Sequence, residues 1–299
     1  MWFKMRAMQT VWRGMDLATL DREYDARASV RDFDAELRRY VALSAAARTK
    51  LQMHADLVFD PESGNALDWF PGAPGGPVLL WVHGGYWRAL SKADQSLAAP
   101  GLVAAGAHVA VMDYSLAPAA ALDRIVHQVR TALAWVRSHA PDFGADPTRL
   151  YAGGSSAGGH LTDMLLADGW HAQYGLPPNA LRGGVALSGL FDLEPIQLSH
   201  INAWMHLDPA TARRLSPLHL IPPTPPAPKL LATYGGRETS EFKRQTEEYA
   251  AAWAQAGHHA QLLPQRDRNH FDLVAALGDG GDPLCRAVAA FMQTEPNPR

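Results

Sequence analysis

The sequence predicts an α/β protein with a mostly parallel central sheet and helices on both faces. Short apolar segments alternate with helical segments from residue 78 onward, and this alternation is typical of parallel sheets. The first of them, Val78–Val82, is apolar at every position, which indicates a strand covered on both faces. With 299 residues, of which 47% are hydrophobic, the chain is long enough for one domain with a complete core.

The elements follow one another in a clear order. Residues 17–49 are expected to be helical, since apolar side chains recur there at three- and four-residue spacing. Two strand-like runs around the turn at 60–65 predict a hairpin at the sheet edge. Further strands are expected at 78–82, 108–113, 149–152, 183–187, 229–233 and 260–263, and helices at 93–105, 125–136, 157–166, 242–256 and 283–292. The proline-rich segment 194–228 breaks the alternation and predicts a small lid on this single domain.

Composition excludes several classes of protein. The net charge is −3 and the basic residues are scattered, so we expect no nucleic-acid partner. No apolar run approaches the ~20 residues of a membrane span, and residues 1–9 lack the apolar stretch of a signal peptide. A single cysteine, Cys285, excludes an internal disulfide and suits a reducing compartment. The prediction is a cytoplasmic protein acting on a small molecule, with the oligomeric state, including a homodimer, left open.

A glycine-framed serine lies between a predicted strand and a predicted helix. The stretch Gly154-Ser155-Ser156-Ala157-Gly158 has the form G-x-S-x-G. Glycines two residues to either side permit the sharp turn that exposes a nucleophilic serine. Ser156 has glycine at both offsets and Ser155 at only one, so Ser156 is the predicted nucleophile. The alternative is a structural glycine-rich turn, or one that binds phosphate at a helix start.

A second glycine pair follows the strand at 78–82. In His83-Gly84-Gly85-Tyr86-Trp87 the glycines allow the loop to turn its amides inward. Acyl transfer places negative charge on a carbonyl oxygen, and backbone N–H groups stabilise that charge. The predicted donors are Gly84, Gly85 and Ala157, with Tyr86 as a further candidate. An ordinary tight turn with His83 as a packing residue is the alternative.

The base and its acid are predicted in loops after the last strands. Of thirteen histidines, His270 lies in a polar loop after the final strand, where imidazole can accept the serine proton, whereas His160 is expected to pack. Glu238 follows the strand at 229–233, and the order Ser156, Glu238, His270 is that of Ser…Asp/Glu…His hydrolases. Glu241 is the rival acid, although a place in the first turn of a helix explains it equally well.

Together these motifs resemble the α/β-hydrolase superfamily, and within it the arylformamidase (kynurenine formamidase) and related carboxylesterase branch. The resemblance covers about residues 24–291 and rests on His83-Gly84-Gly85-Tyr86-Trp87, Ser156-Ala157-Gly158-Gly159-His160-Leu161, Glu238-Thr239-Ser240-Glu241-Phe242 with Gln245, and Asn269-His270-Phe271-Asp272. It implies an α/β-hydrolase fold, a Ser156, Glu238, His270 triad and an oxyanion loop at 83–87. Two positions depart from the branch: Ser155, where histidine is common, and Glu238, where aspartate is frequent.

The resemblance implies hydrolysis of a small formamide, as in N-formylkynurenine to kynurenine and formate. A carboxylesterase on short-chain or aromatic esters is the alternative, and Asp113-Tyr114-Ser115-Leu116-Ala117-Pro118 also resembles hormone-sensitive-lipase-like esterases. A third hypothesis is that the protein has the same fold but binds a ligand without catalysing a reaction. Tyr86, Trp87 and Trp204 are expected to contact a flat substrate ring. No cofactor is required, and no histidine and acid cluster with metal-ligand spacing is present, so no metal is expected.

Overall fold

The computed structural model describes residues 10–225 and 227–293. The start of the chain on which the absence of a signal peptide was predicted, residues 1–9, lies outside these ranges, as does Pro226 of the expected lid.

An eight-stranded sheet forms the centre of the molecule, in the spatial order β1-β2-β4-β3-β5-β6-β7-β8. The strands are β1 (His54–Asp60), β2 (Asn65–Phe70), β3 (Val78–Val82), β4 (His108–Met112), β5 (Leu150–Ser155), β6 (Leu181–Leu187), β7 (Lys229–Thr233) and β8 (Ala260–Leu262). β2 pairs antiparallel with β1 and β4, and every other pair is parallel. This confirms the predicted mostly parallel sheet with a hairpin at its edge.

Twelve α-helices connect or cover the strands in the described part of the chain. They are α1 (Leu17–Glu23), α2 (Phe33–Lys50), α3 (Lys92–Gln95), α4 (Ala99–Ala104), α5 (Leu122–His139), α6 (Ala157–Leu166), α7 (Glu194–Leu198), α8 (Asn202–Met205), α9 (Pro209–Arg214), α10 (Ser240–Gln255), α11 (Asp272–Leu277) and α12 (Pro283–Gln293). Short 3₁₀ turns lie at Ser96–Ala98, Ala140–Phe143, His171–Tyr174 and Pro217–His219.

Side chains of β3 alternate between two apolar layers, one on each face of the sheet. Leu80 packs into the layer that contains α5, and Trp81 into the layer that contains α12. All five residues of β3 are fully buried, and complete burial of such a side chain stabilises the fold by roughly 1.5–3 kcal/mol. The unbroken apolar run that predicted this strand therefore reflects helices on both of its faces.

Two expected helices are interrupted. The segment predicted as one helix over 17–49 is α1 and α2, because Asp32 accepts a hydrogen bond from the amide of Ala35 at 2.9 Å and starts a new helix. The segment predicted as a helix over 93–105 is α3, a 3₁₀ turn and α4. Pro100, in the first turn of α4, has no N–H to extend the preceding turn.

The segment 194–228 contains α7, α8, α9 and one 3₁₀ turn. Its inner side chains Ile201, Met205 and Leu215 are buried in the core layer that also contains α5. The segment is attached to α5, since Arg214 makes two hydrogen bonds to Asp123, at 2.6 and 2.9 Å. Among the described residues, no helix combines the length and the apolar character required to cross a membrane.

Candidate active site

Four neighbouring parallel strands end at the same edge of the sheet. Val82 of β3 lies opposite Gly154 of β5, Ser155 of β5 opposite Leu187 of β6, and Leu187 opposite Thr233 of β7. Because these strands run in one direction, the loops that follow them meet at this edge. Those loops carry three of the predicted features, the glycine pair, Ser156 and Glu238, and the loop after the neighbouring strand β8 carries the fourth, His270.

Ser156 occupies a strained turn between β5 and α6. Its backbone has φ 58° and ψ −118°, which non-glycine residues rarely adopt and which costs about 1–3 kcal/mol. The amide of Ser156 donates to the carbonyl of Leu187 at 2.8 Å and holds the turn in place. A Cβ atom at Gly154 would lie 2.3 Å from the carbonyl oxygen of Gly158, and one at Gly158 would lie 2.1 Å from that of Val82. Both glycines of the motif are therefore required by the close approach of backbone.

The turn directs Ser156 to the start of a buried helix. All ten residues of α6 are buried, and Ser156 itself is 5% exposed. The amino-terminal end of a helix carries a partial positive charge. The arrangement therefore favours negative charge that develops beside the Ser156 hydroxyl.

His270 and Glu238 form a buried pair. The Nδ1 atom of His270 lies 2.8 Å from Oε2 of Glu238, and both residues are 5% exposed. The loops that carry them are joined by backbone hydrogen bonds from Gly236 to Gln265 at 2.8 Å and from Arg237 to Arg268 at 3.0 Å. Since a carboxylate only accepts, Nδ1 of His270 carries the proton in this bond and Nε2 is left as the basic nitrogen.

The second oxygen of Glu238 is held by a residue that the sequence analysis missed. Oε1 accepts hydrogen bonds from the Ser188 hydroxyl at 2.5 Å and from the amide of Gly235 at 2.6 Å. Ser188 is fully buried and follows β6, so its place after a strand of the same parallel sheet was a signal in the sequence that could have found it. With all three donors in place, the Glu238 carboxylate cannot rotate freely away from His270.

Glu241, the rival acid, is engaged elsewhere. It forms an ion pair with Arg244 at 2.7 Å and accepts a hydrogen bond from the Tyr24 hydroxyl at 2.9 Å. Burial alone would raise its pKa, but Arg244 and the hydrogen bonds outweigh burial and lower the pKa of Glu241. Within the described residues, no hydrogen bond joins Glu241 to His270, which is why the geometry favours Glu238.

Three backbone amides at the edge have no hydrogen-bond partner among the described residues. Among the described residues, those of Gly84, Gly85 and Ala157 donate no hydrogen bond to another residue. They lie next to the nucleophile candidate: a Cβ atom built on Gly84 would be 3.4 Å from that of Ser156, and Ala157 follows Ser156 directly. Unpaired amides beside a serine are the geometry of an oxyanion site.

The three predicted ring-contacting residues differ in their surroundings. Tyr86 and Trp204 are partly exposed and contact each other edge to face at 6.4 Å, and Nε1 of Trp204 donates to the carbonyl of Tyr86 at 3.2 Å. Trp87 instead is fully buried, with its ring edge to face against His160 at 5.2 Å. It packs in the core, so it offers no surface for a substrate ring.

His160, in the first turns of α6, has a structural role. His160 is fully buried, and burial lowers its pKa to about 4, so the neutral ring donates from Nε2 to the carbonyl of Leu215 at 2.8 Å.

Among the described residues, no hydrogen bond joins Ser156 to His270. In serine hydrolases this contact often tightens only when substrate is bound. No group of three or more metal-ligating side chains is arranged to hold an ion in the described ranges.

Known proteins resemble this chain over most of its length. A family model described as BD-FAE matches residues 72–172, which contain the glycine pair and Ser156. Kynurenine formamidase from Danio rerio is 30% identical over 280 residues, covering 90% of this chain and 94% of that protein. The chain belongs to the kynurenine formamidase family. It is therefore a hydrolase, as the sequence predicted.

Other relatives support the same fold and a broader activity. Esterase LipC from Mycobacterium tuberculosis is 28% identical over 239 residues, which is 72% of this chain and 58% of that protein. A solved structure of a Silicibacter protein superimposes with a TM-score of 0.77 at 26% identity, covering 92% of this chain and 99% of the other. These findings confirm the α/β-hydrolase fold and an activity of the arylformamidase or carboxylesterase type.

Proposed function

We propose that this member of the kynurenine formamidase family hydrolyses N-formylkynurenine with Ser156, His270 and Glu238 as its catalytic triad. The observation that carries the proposal is the buried pair of His270 and Glu238, 2.8 Å apart, at the sheet edge where Ser156 occupies its strained turn. A buried acid that fixes the tautomer of a histidine is the arrangement that activates a serine.

In the proposed reaction, Oγ of Ser156 attacks the formyl carbon and its proton passes to Nε2 of His270. The carbonyl oxygen becomes an oxyanion that the amides of Gly84, Gly85 and Ala157 stabilise. The C–N bond then breaks as the His270 imidazolium protonates the leaving aromatic amine. Water attacks the formyl-enzyme with His270 again as base, and formate is released while Ser156 recovers its proton.

Replacing Ser156 tests the nucleophile. Ser156→Ala is expected to lose at least about 1000-fold in kcat on N-formylkynurenine, since a triad without its nucleophile retains only binding and oxyanion stabilisation. The matched control is Ser155→Ala, which removes the neighbouring hydroxyl from the end of β5 and is expected to keep kcat within about threefold of wild type. Circular dichroism checks that both variants are folded. Wild-type-like turnover by Ser156→Ala would end the proposal.

The cation Arg88 lies where the glycine loop (residues 83–87) meets segment 194–228, and its position supports a substrate that carries a carboxylate. The Arg88 guanidinium lies 4.0 Å from the ring centre of Trp204, and the Trp204 indole donates a hydrogen bond to the carbonyl of Tyr86. In the described ranges no carboxylate lies within ion-pair distance of Arg88, whereas nearby His200 is paired with Asp21 at 3.2 Å. A partly exposed aromatic ring beside a cation that lacks a carboxylate partner suits an aromatic amino acid that carries a carboxylate.

Substrate comparison distinguishes the formamidase from the carboxylesterase, which is the second candidate because of the similarity to esterase LipC. We expect a higher kcat/KM for N-formylkynurenine than for formanilide, which has the same scissile bond but no carboxylate. Arg88→Gln is expected to lower kcat/KM about tenfold for N-formylkynurenine and to leave formanilide unchanged. Faster turnover of p-nitrophenyl acetate than of both formamides, relative to spontaneous hydrolysis, would favour the esterase.

Further parts of the proposal concern the segment 194–228 and the setting of the enzyme. We propose that this segment acts as a lid, which is supported by its contact with the glycine loop through Trp204 and Tyr86. A cytoplasmic location is supported by the single cysteine, Cys285, which is buried as a free thiol. The homodimer stays a prediction, which size-exclusion chromatography with light scattering tests.

A further inference from the structure

The stretch Asp113-Tyr114-Ser115-Leu116-Ala117-Pro118 follows β4, the neighbour of β3 in the sheet. None of its residues has a role in the reaction proposed above. The structure nevertheless brings it against the glycine loop at both ends of that loop. Tyr114 contacts the start of the loop, and the amide of Ala117 donates to the carbonyl of Trp87 at 2.8 Å.

The Tyr114 hydroxyl contacts two consecutive carbonyl groups. It lies 3.0 Å from the carbonyl oxygen of His83 and 3.2 Å from that of Gly84, so its single proton is shared between two acceptors. The ring stacks on the His83 imidazole with centroids 4.0 Å apart and planes 11° apart. The side chain is 3% exposed, and burial raises the pKa of Tyr114 well above its ordinary value, which keeps the hydroxyl a donor.

Peptide geometry links these two carbonyls to the oxyanion amides. In a trans peptide the C=O and the N–H point in opposite directions. The carbonyl of His83 shares its peptide with the N–H of Gly84, and the carbonyl of Gly84 shares its peptide with the N–H of Gly85. One hydroxyl that fixes both carbonyls therefore fixes the direction of both amides.

The glycine pair makes such a tether necessary. Glycine occupies more backbone conformations than other residues, so two in sequence allow the peptide planes to rotate. Nδ1 of His83 also lies 2.8 Å from the carbonyl of Gly84, but it contacts only the second of the two peptides. Burial lowers the pKa of His83 to about 4, so the ring is neutral and contributes a single N–H to that bond.

We propose that Tyr114 is a positioning residue that holds the amides of Gly84 and Gly85 in the direction needed to stabilise the oxyanion. The proposal rests on the proposed function, because it assumes that these amides receive the charge formed when Ser156 attacks. The hydroxyl of Tyr114 acts on the far side of the peptides and does not touch substrate. Its contribution therefore belongs to the transition state and not to substrate binding.

Tyr114→Phe removes the hydroxyl and keeps the ring that stacks on His83. We expect kcat to fall about 10- to 100-fold on N-formylkynurenine and on p-nitrophenyl acetate, with KM within about twofold, since an interaction made only in the transition state lowers kcat and kcat/KM equally. The matched control is Tyr174→Phe, which removes a hydroxyl bonded to His127 at 2.7 Å far from the glycine loop. That control is expected to keep wild-type kcat.

A second measurement separates positioning from a general structural effect. An aryl trifluoromethyl ketone forms an oxyanion-bearing adduct with the serine, so its affinity is expected to fall by the same factor as kcat in Tyr114→Phe. The affinity for kynurenine, a product without that charge, is expected to stay within twofold. Equal losses for both ligands, or wild-type kcat, would overturn the inference.

A stabilised background and a comparison with Ser156→Ala keep the test decisive. If Tyr114→Phe does not fold, the comparison is made in an Asp163→Asn background, which is expected to be more stable at alkaline pH because it removes a buried carboxyl whose pKa burial raises well above its ordinary value. Failure of the inference differs from failure of the proposed function. An inactive Ser156→Ala beside a fully active Tyr114→Phe would refute only the role of Tyr114, whereas an active Ser156→Ala would refute both.

Discussion

Glu238→Gln is the substitution for which the structure makes the most specific prediction. The change keeps the shape of the side chain and replaces one oxygen by an NH₂ group. The amide of Gly235 lies 2.6 Å from Oε1 and can only donate, so the remaining oxygen must stay at that position. The Ser188 hydroxyl, 2.5 Å away, can donate or accept and does not oppose this orientation.

The NH₂ group of the glutamine is then forced to face Nδ1 of His270 at the 2.8 Å position of Oε2. Nδ1 must accept that hydrogen bond, and the ring proton moves to Nε2. A protonated Nε2 cannot remove the proton of Ser156. In serine hydrolases this change of tautomer costs roughly 10⁴ in kcat, which corresponds to about 5 kcal/mol of barrier.

The assay measures kcat at pH 7 on N-formylkynurenine and on p-nitrophenyl acetate. We expect Glu238→Gln to lose about 10³- to 10⁴-fold on both substrates at pH 7. The matched control is Glu241→Gln, the same substitution three residues away in a residue paired with Arg244, which is expected to keep kcat within about threefold. Activity of Glu238→Gln within tenfold of wild type would refute the assignment of the acid, and a larger loss in Glu241→Gln would reverse it.

Three further predictions concern stability. Gly158→Ala is expected to lower the melting temperature and abolish turnover, since its Cβ would lie 2.1 Å from the carbonyl of Val82; thermal melts that match wild type would contradict the close approach. Asp68→Ala is expected to cost about 3–5 kcal/mol in urea unfolding, because it removes the carboxylate 2.9 Å from the buried Lys92; an unchanged midpoint would show that Asp56, 2.7 Å from Lys92, suffices. Burial raises the pKa of Asp163 well above 3.8, so folding binds a proton there, and wild-type stability should fall as pH rises from about 4 toward the raised pKa. Asp163→Asn should remove that part of the decline, as unfolding at pH 5 and pH 8 would show, and parallel declines in both proteins would refute it.

The strands of the central sheet were predictable because burial on both faces produces short, continuous apolar runs in the sequence. β3 and β7 have the predicted bounds, since all five positions of β3 and the three central positions of β7 are apolar and buried. The break between α1 and α2 was not predicted. The apolar stripe lies within α2, and the capping role of Asp32 depends on how the chain turns to bury Tyr24.

The nucleophile and oxyanion candidates came from local patterns, and the structure gives a reason for each. Gly154 and Gly158 appear in the motif because backbone atoms pass within 2.3 Å of where their side chains would be. Partners that lie far along the chain left no such pattern. Ser188 is 50 residues from Glu238, and Tyr114 is 30 residues from Gly84, so their roles depend on which strands are neighbours in the sheet. The same limit applies to Trp87, whose aromatic character does not reveal the side of the loop to which it points.

The most direct test of the central claim is to map the residue that a fluorophosphonate probe modifies. We predict a single adduct on Ser156, an equal rate of labelling in Ser155→Ala, and a strongly reduced rate in His270→Ala, because the imidazole must take the serine proton. Peptide mass spectrometry identifies the site and intact mass gives the stoichiometry. An adduct on another residue, or labelling that is as fast without His270 as with it, would contradict the triad.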